Sequence, residues 1–355
     1  MKQRSLLTLS AILCLSLPAL AETELPDEPV EIGNEPQLFI DDYIVDNRWP
    51  LDKVVEVMGR VVHQPVKHSS NPVIKGKGGY LNVVWDEDAK LYRMLYQDFW
   101  YHNPPRYTYA IAYAESKDGI TWETPNLGLY KWRGSMNNNI CWQSLETSID
   151  GPRAEAPFLL ELPEEHRRGH RFVMFYVSAK TGCHLVGSND CIHWDKASDT
   201  NIAKSFFPDT QSSIVWDPRR KEFVWYSRAT DRYGDGDPLT RGATRRVCRL
   251  VNKQLWSQWP IHTQNILIPD DGDATEQSER AFEGSNFFYG MPTRYHAGIY
   301  FGFLEPYKLR ASTITTQLTI SRNGRVFERF PGRQRLIELG PRDAWDDGMV
   351  FGSPG

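Results

Sequence analysis

The stretch Ser116-Lys117-Asp118-Gly119-Ile120-Thr121-Trp122 decides the fold, because the chain repeats it. Ser188-Asn189-Asp190-Cys191-Ile192-His193-Trp194 is a second copy, with Cys191 where the first has Gly119. Ser321-Arg322-Asn323-Gly324-Arg325-Val326-Phe327 is a third, and a worn copy, Asn252-Lys253-Gln254-Leu255-Trp256-Ser257-Gln258-Trp259, falls between them. The copies recur about 70 residues apart, somewhat above the period of the commoner propeller repeats. A short polar residue, then Asp or Asn, then Gly makes a tight hairpin turn. Asp and Asn bond nearby backbone, and Gly takes positive φ without steric cost. The aromatic three residues after the Gly tucks under the turn from the next strand.

Upstream of the turns lies alternating apolar sequence, such as Tyr107-Thr108-Tyr109-Ala110-Ile111-Ala112-Tyr113 and Ile314-Thr315-Thr316-Gln317-Leu318-Thr319-Ile320. That pattern reads as strand, turn, strand. A second hairpin precedes each one. Tyr80 to Trp85 turns into Leu91 to Tyr96, Ala156 to Leu162 into Phe172 to Tyr176, Ser213 to Trp216 into Phe223 to Tyr226, and Phe288 to Tyr295 into Ile299 to Phe303. Four strands per unit, repeated radially, predict an all-β fold, a five-bladed β-propeller of four-stranded antiparallel blades. Four units are complete. A fifth starts at Met349-Val350-Phe351 and is incomplete at the C-terminus, with the early stretches Leu38 to Val45 and Val54 to Val62 expected as strands that help close the ring.

A length of 355 residues fits one large all-β domain or two medium ones. Lys2 and Arg4, the apolar run Leu6 to Leu17 and the small-x-small site Ala19-Leu20-Ala21 read as a secretory signal. The expected organisation is a signal peptide over 1–21, a linker over 22–36 and a propeller domain over 37–355, secreted or periplasmic after cleavage near Ala21. No apolar run is long enough to span a bilayer. Cys141, Cys183, Cys191 and Cys248 remain in the mature chain, and an oxidising compartment permits disulfides. Cys183 and Cys191 flank one hairpin and form one possible pair, with buried free thiols the alternative. A net charge of −4 excludes a nucleic-acid footprint, and the basic run from Arg228 to Arg249 reads by default as a solvated face.

The first strand of each blade lines a propeller's channel, so residues just before those strands converge at its mouth. Here they include carboxylates: Glu155 before blade two, Asp209 before blade three, Glu283 before blade four, and Asp346-Asp347 before blade five. Asp41 and Asp42 come from the N-terminal segment. Acids sharing one funnel have their pKa values pushed apart, which is what glycoside hydrolysis needs: one protonated acid and one carboxylate. Singly, each of these acids also serves as a turn former or strand cap.

Glu155-Ala156-Pro157-Phe158-Leu159-Leu160-Glu161-Leu162-Pro163 resembles the general-acid segment of the five-bladed propeller glycosidases of families 43 and 32. Leu38-Phe39-Ile40-Asp41-Asp42-Tyr43, His63-Gln64-Pro65, Asn71-Pro72 and Trp345-Asp346-Asp347-Gly348-Met349 together resemble secreted family-32-like proteins of polysaccharide-degrading bacteria. The Asn-Asp-Pro and Arg-Asp-Pro segments of family 32 are absent, so the base is not assigned by motif. The resemblance implies a secreted glycoside hydrolase with a carbohydrate substrate, and a deep funnel favours action from the chain end. Glu155 is then the candidate general acid, and Asp209 or Asp347 the base or nucleophile. Glu283 and Asp42 are pKa-setting or hydroxyl-binding groups, and Arg153, Tyr289 and Asn286 substrate contacts. A non-catalytic carbohydrate-binding propeller, a sialidase-like protein and a phosphorylase-like protein are the alternatives. No cofactor motif is present. Asp270-Asp271-Gly272-Asp273 and Asp231 to Asp237 are oxygen-rich loops of the kind calcium takes, without EF-hand spacing, and read by default as solvated.

Overall fold

The computed structural model describes residues 32–34, 36–41, 43–44, 61, 63–76, 78–101, 107–145, 147–148, 151–204, 206–208, 210–229, 245–261, 264–270, 273, 286–308 and 311–353. Residues 1–21, expected as a signal, and most of 22–36, expected as a linker, lie outside them. Two compact units divide the chain, Met1–Val61 and Val62–Gly355.

In the first unit no strand forms at the described residues of the predicted strand Leu38 to Val45; Asp42 and Val45 lie outside them. The described ones are turns and bends, and the Tyr43 amide donates to Asp41 Oδ1 at 3.2 Å. The aspartate side chain captures a backbone donor that a strand would give to its neighbour.

The fold is the predicted five-bladed β-propeller, and the second unit carries four of its blades. Blade one is Gly78–Asp86, Leu91–Tyr101, Tyr107–Ser116 and Ile140–Trp142. Blade two is Ala154–Glu161, Phe172–Ser178, Gly182–Ser188 and Trp194–Lys204. Blade three is Ser213–Asp217, Glu222–Ala229, Arg246–Asn252 and Gln264–Leu267. In blade four the three inner strands bend, and each divides into two segments: Asn286–Phe288 and Thr293–His296, Ile299–Leu304 and Pro306–Lys308, Thr313–Ile314 and Thr316–Ser321. Backbone bonds from the Tyr289 amide to the Glu305 carbonyl (2.7 Å) and from the Glu305 amide to the Gly290 carbonyl (3.0 Å) carry the ladder through the bend. The segment after Gly348 begins as a fifth inner strand would. Met349 pairs in parallel with Ile314, as Arg153, leading into blade two, pairs with Tyr109 of blade one.

The repeated turn has one hydrogen-bond pattern in its three full copies. Ser116, Ser188 and Ser321 Oγ accept the amides of Gly119, Cys191 and Gly324 at 2.9, 3.0 and 2.9 Å. Asp118, Asp190 and Asn323 Oδ1 each accept the next two amides, at 2.7–2.9 Å. These bonds hold the Asp118 and Asp190 carboxyls below the ordinary aspartate value, in Asp190 against the opposing effect of burial. A second repeated device closes the inner hairpins. Asp86 Oδ1 accepts the amides of Asp88 and Ala89, and Asp217 Oδ1 those of Arg219 and Arg220.

Packing follows from strand periodicity with both faces buried. Along Phe172–Ser178, Phe172, Met174 and Tyr176 pack towards blade one with Leu95, Ile111 and Trp142. Val173, Phe175 and Val177 pack towards blade three with Phe223, Trp225 and Cys248. A third cluster, with Val224, Tyr226, Tyr300 and Leu304, joins blades three and four. Cys141, Cys183, Cys191 and Cys248 are free and buried in these layers, so the Cys183–Cys191 pairing is not formed. Among the described residues, no helix is long and apolar enough to cross a membrane.

Candidate functional site at the mouth of the channel

Glu155 is the second residue of the inner strand Ala154–Glu161 and pairs with Val177. The register slips between Glu155 and Phe158, and Ala156 has φ +53°. Pro157, which has no amide to give the ladder, suits such a bulge. Gln97 of blade one accepts the Ala156 amide at 2.6 Å and fixes it. Blade one bends at the matching place: Gly79 pairs with Gln97, the register slips between Gly79 and Asn82, and Tyr80 has φ +51°. Bulges of this kind re-aim side chains at sheet ends. Asn82 ties the two bulges together, donating to the Pro157 carbonyl and accepting the Leu159 amide.

The Glu155 side chain is 14% exposed and its Oε2 lies 3.9 Å from Arg153 Nη2. The Arg153 guanidinium sits 5.0 Å from the centre of the Tyr109 ring, which meets Phe99 edge-on at 5.3 Å. Burial pushes the Cys183 thiol well above its ordinary value, and the Glu155 charge adds to this. A partly exposed carboxyl backed by a guanidinium and an aromatic wall is placed to meet a polar ligand, and it can exchange a proton with one.

A second group of side chains gathers at the same level. Tyr80 Oη and Tyr289 Oη are 3.0 Å apart, and Phe351 meets both rings at 5.6 and 5.5 Å. Arg228 and Arg245 stand 5.0 and 5.1 Å from the Tyr289 ring centre. The Leu81 carbonyl accepts Gln211 Nε2 at 3.0 Å and Ser353 Oγ at 2.7 Å. Blades one, three and four and the C-terminal segment therefore meet on Tyr80-Leu81, and the blade-one bulge stands across the channel. A cavity of about 420 Å³ lies at the other end of the inner strands, lined by residues including Trp85, Glu161, Trp216, Arg294 and Tyr295. Glu155 does not line it.

Glu305 is a site residue that the sequence reading missed. The hairpin pairs Trp85–Tyr92, Trp216–Phe223 and Tyr295–Tyr300 align blades one, three and four. At the same distance along the second strand stand Gln97, Arg228 and Glu305, all buried. Burial pushes the Glu305 carboxyl up to about 8, outweighing the Gly352 amide and the Arg228 guanidinium, which pull it down. Neither carboxyl oxygen has a hydrogen-bond partner at ordinary geometry. The sequence signal was a carboxylate just past an apolar strand, Leu304-Glu305-Pro306, beyond the expected strand end at Phe303.

Of the residues singled out from sequence, Glu155, Arg153 and Tyr289 are at this mouth. Asp42, Asp209 and Glu283, and the side chain of Asn286, lie outside the described residues, as does Asp231 to Asp237. Asp347 is exposed and its Oδ2 accepts the Asp343 amide at 2.8 Å, so it closes a surface turn. Its neighbour Asp346 is buried and paired with Lys67. In the 270–273 loop the described carboxylates are engaged by arginines: Asp273 by Arg329 and Arg333, Asp270 by Arg333.

No protein-family model matches the sequence, and no curated protein matches it. Solved structures do. An N-acetylgalactosamine deacetylase from F. plautii, in complex with blood group B trisaccharide, superposes with a TM-score of 0.53 at 14% identity, over 82% of this chain and 78% of that one. A glycoside hydrolase superposes with a TM-score of 0.51 at 12% identity, over 79% of this chain and 81% of that one. At such identities what is shared is the fold.

Proposed function

We propose that this chain is a carbohydrate-active hydrolase, a glycosidase that cleaves a poly- or oligosaccharide from its end after export. The observation that carries the reading is Glu155: a partly exposed carboxyl at the channel mouth, held on a bulge beside Arg153 and Tyr109. The likeness of fold to a glycoside hydrolase and to a deacetylase solved with a trisaccharide supports a carbohydrate ligand.

In this mechanism Glu155 gives its proton to the leaving oxygen. A second carboxylate activates water or attacks the anomeric carbon. Asp209 or Asp347 takes that second role, the surface turn that engages Asp347 favouring Asp209, with Glu283 and Asp42 setting its charge or binding hydroxyls. Arg153, Tyr289 and Asn286 hold the sugar.

Glu155→Gln keeps the shape and removes the acid. Release of reducing sugar from a panel of plant and marine polysaccharides should fall by about 10²–10⁴ with the fold intact. An undiminished rate removes Glu155 from the mechanism. Glycan binding with no release by the unsubstituted protein would favour a carbohydrate-binding propeller instead.

A further inference from the structure

The hairpin of the second and third strands of blade one rises above the mouth. Bulges at matching places put Gln97 and Val177 at one level, opposite Gly79 and Glu155. Past that level the second strand of blade two runs on only to Ser178, whereas that of blade one runs on through Asp98 to Tyr101. At about 3.3 Å per residue this is a rise of about 13 Å. The third strand climbs with it, pairing Tyr109 with Phe99, Thr108 with Trp100 and Tyr107 with Tyr101.

Strand alternation divides the side chains of the second strand between two faces. Gln97 accepts the Ala156 amide, so its face is the one towards Glu155, and Phe99 and Tyr101 share it. Phe99 meets Tyr109 edge-on at 5.3 Å, the Arg153 guanidinium lies 5.0 Å from the Tyr109 ring centre, and Arg153 Nη2 is 3.9 Å from Glu155 Oε2. Asp98 and Trp100 take the other face. There Trp132 Nε1 donates to Asp98 Oδ2 at 3.2 Å, and the Trp100 ring packs with Trp132 and Tyr130. That face is filled by the blade's own residues. On the Glu155 side Phe99 and Tyr109 are half-buried and Tyr101 is 59% exposed.

We propose that Phe99, Tyr109 and Tyr101 form the leaving-group side of the substrate site, a wall on which the sugar rings beyond the scissile bond stack. The inference deepens the glycosidase reading and rests on it. A general acid lies against the leaving oxygen, so the side chains beside Glu155 and above the mouth meet the part of the chain that leaves. A sugar ring carries C–H groups on its faces and hydroxyls at its edges. Aromatic faces with a phenol and a guanidinium at hand offer both kinds of contact. Phe99 and Tyr109, next to Arg153, meet the first leaving sugar. Tyr101, about 7 Å further along the strand, meets the next. A channel that takes in a chain end must let the remainder pass out over one blade, and the raised hairpin makes blade one that exit.

The experiment measures kcat and KM on neutral oligosaccharides of two to six units from plant and marine polysaccharides, for the unsubstituted protein, Tyr101→Ala, Tyr101→Phe and Glu155→Gln. Tyr101→Ala should lower kcat/KM about tenfold on chains of three units or more, through KM, and less than about threefold on the disaccharide. Tyr101→Phe keeps the ring and should recover most of that loss. Glu155→Gln should instead lower kcat at every length. A Tyr101→Ala loss that is absent, equal at all lengths, or not recovered by Tyr101→Phe would overturn the proposal. Equal urea midpoints for the two Tyr101 variants, expected at so exposed a position, exclude a folding defect. If the unsubstituted protein turns over no glycan, the glycosidase reading fails, and binding titrations with the same oligosaccharides decide the wall. It falls if Tyr101→Ala binds chains of three units or more as tightly as the unsubstituted protein, or if neither binds them.

Discussion

Gly119 and Gly324 occupy the same position in two copies of one turn, yet alanine should cost different amounts at the two. Both have positive φ, +73° and +67°, so each substitution incurs the left-handed penalty of about 1–2 kcal/mol. At Gly119 the added Cβ meets nothing closer than the Tyr92 ring at 3.6 Å, which is ordinary contact. At Gly324 it would lie 2.8 Å from Tyr226 Oη and 2.9 Å from Tyr300 Cζ. Those tyrosines are fully buried between blades three and four, and Tyr226 Oη already donates to the Gly324 carbonyl at 2.8 Å. Neither ring can yield without disturbing the cluster, so overpacking adds about 1–3 kcal/mol. Gly119→Ala should therefore lose about 1–2 kcal/mol and Gly324→Ala about 2–5 kcal/mol, read from urea midpoints at unchanged m-value. The second copy is the natural control, since it carries Cys191 at this position with φ +61°. Equal losses in the two variants, or a larger loss at Gly119, would refute the claim that the turns differ only in what lies beneath them.

Other outcomes are expected. Trp225 is fully buried between blades two and three, against Phe175, Phe206 and Trp259 at 5.1–5.5 Å, so Trp225→Ala should cost about 3–5 kcal/mol in chemical unfolding. A loss below about 1 kcal/mol would mean that this interface does not hold the blades together. Burial raises the Asp86 carboxyl, but Arg93, the Ala89 amide and Arg171 bring it below its ordinary value of 3.8. Its contribution is therefore complete above that value and lost as pH falls through the lower one. Asp86→Asn should flatten the acid limb of the stability profile, and a limb of unchanged steepness would assign acid unfolding to other groups.

The Glu155 and Glu305 substitutions separate two roles at the mouth. Glu155→Gln should lower turnover by about 10²–10⁴ with the fold intact, because that side chain is partly open to solvent at the mouth. Glu305→Gln should flatten a fall in stability between pH 4.5 and about 8, because the buried carboxyl keeps its proton to about 8 in the folded chain.

Sequence alone determined the turns, the strand alternation and the four-stranded unit, because their causes are local. Ser116 and Asp118 bond amides within three residues of themselves, and so do their copies, so the pattern is written in consecutive letters. Alternation along Phe172–Ser178 likewise needs only the pleat. The same reading predicted a strand over Leu38 to Val45, whose described residues turn instead, with Asp41 Oδ1 accepting the Tyr43 amide. Tertiary structure alone decided which residues share the mouth. Tyr80 and Tyr289 meet across 209 positions of chain, and the Tyr289 amide bonds the Glu305 carbonyl across the bend of blade four. It also placed Asp347 at a surface turn, where its Oδ2 accepts the Asp343 amide. The reason is physical: a pKa or a contact at a ring's centre depends on every blade at once, and no short window of sequence contains that sum.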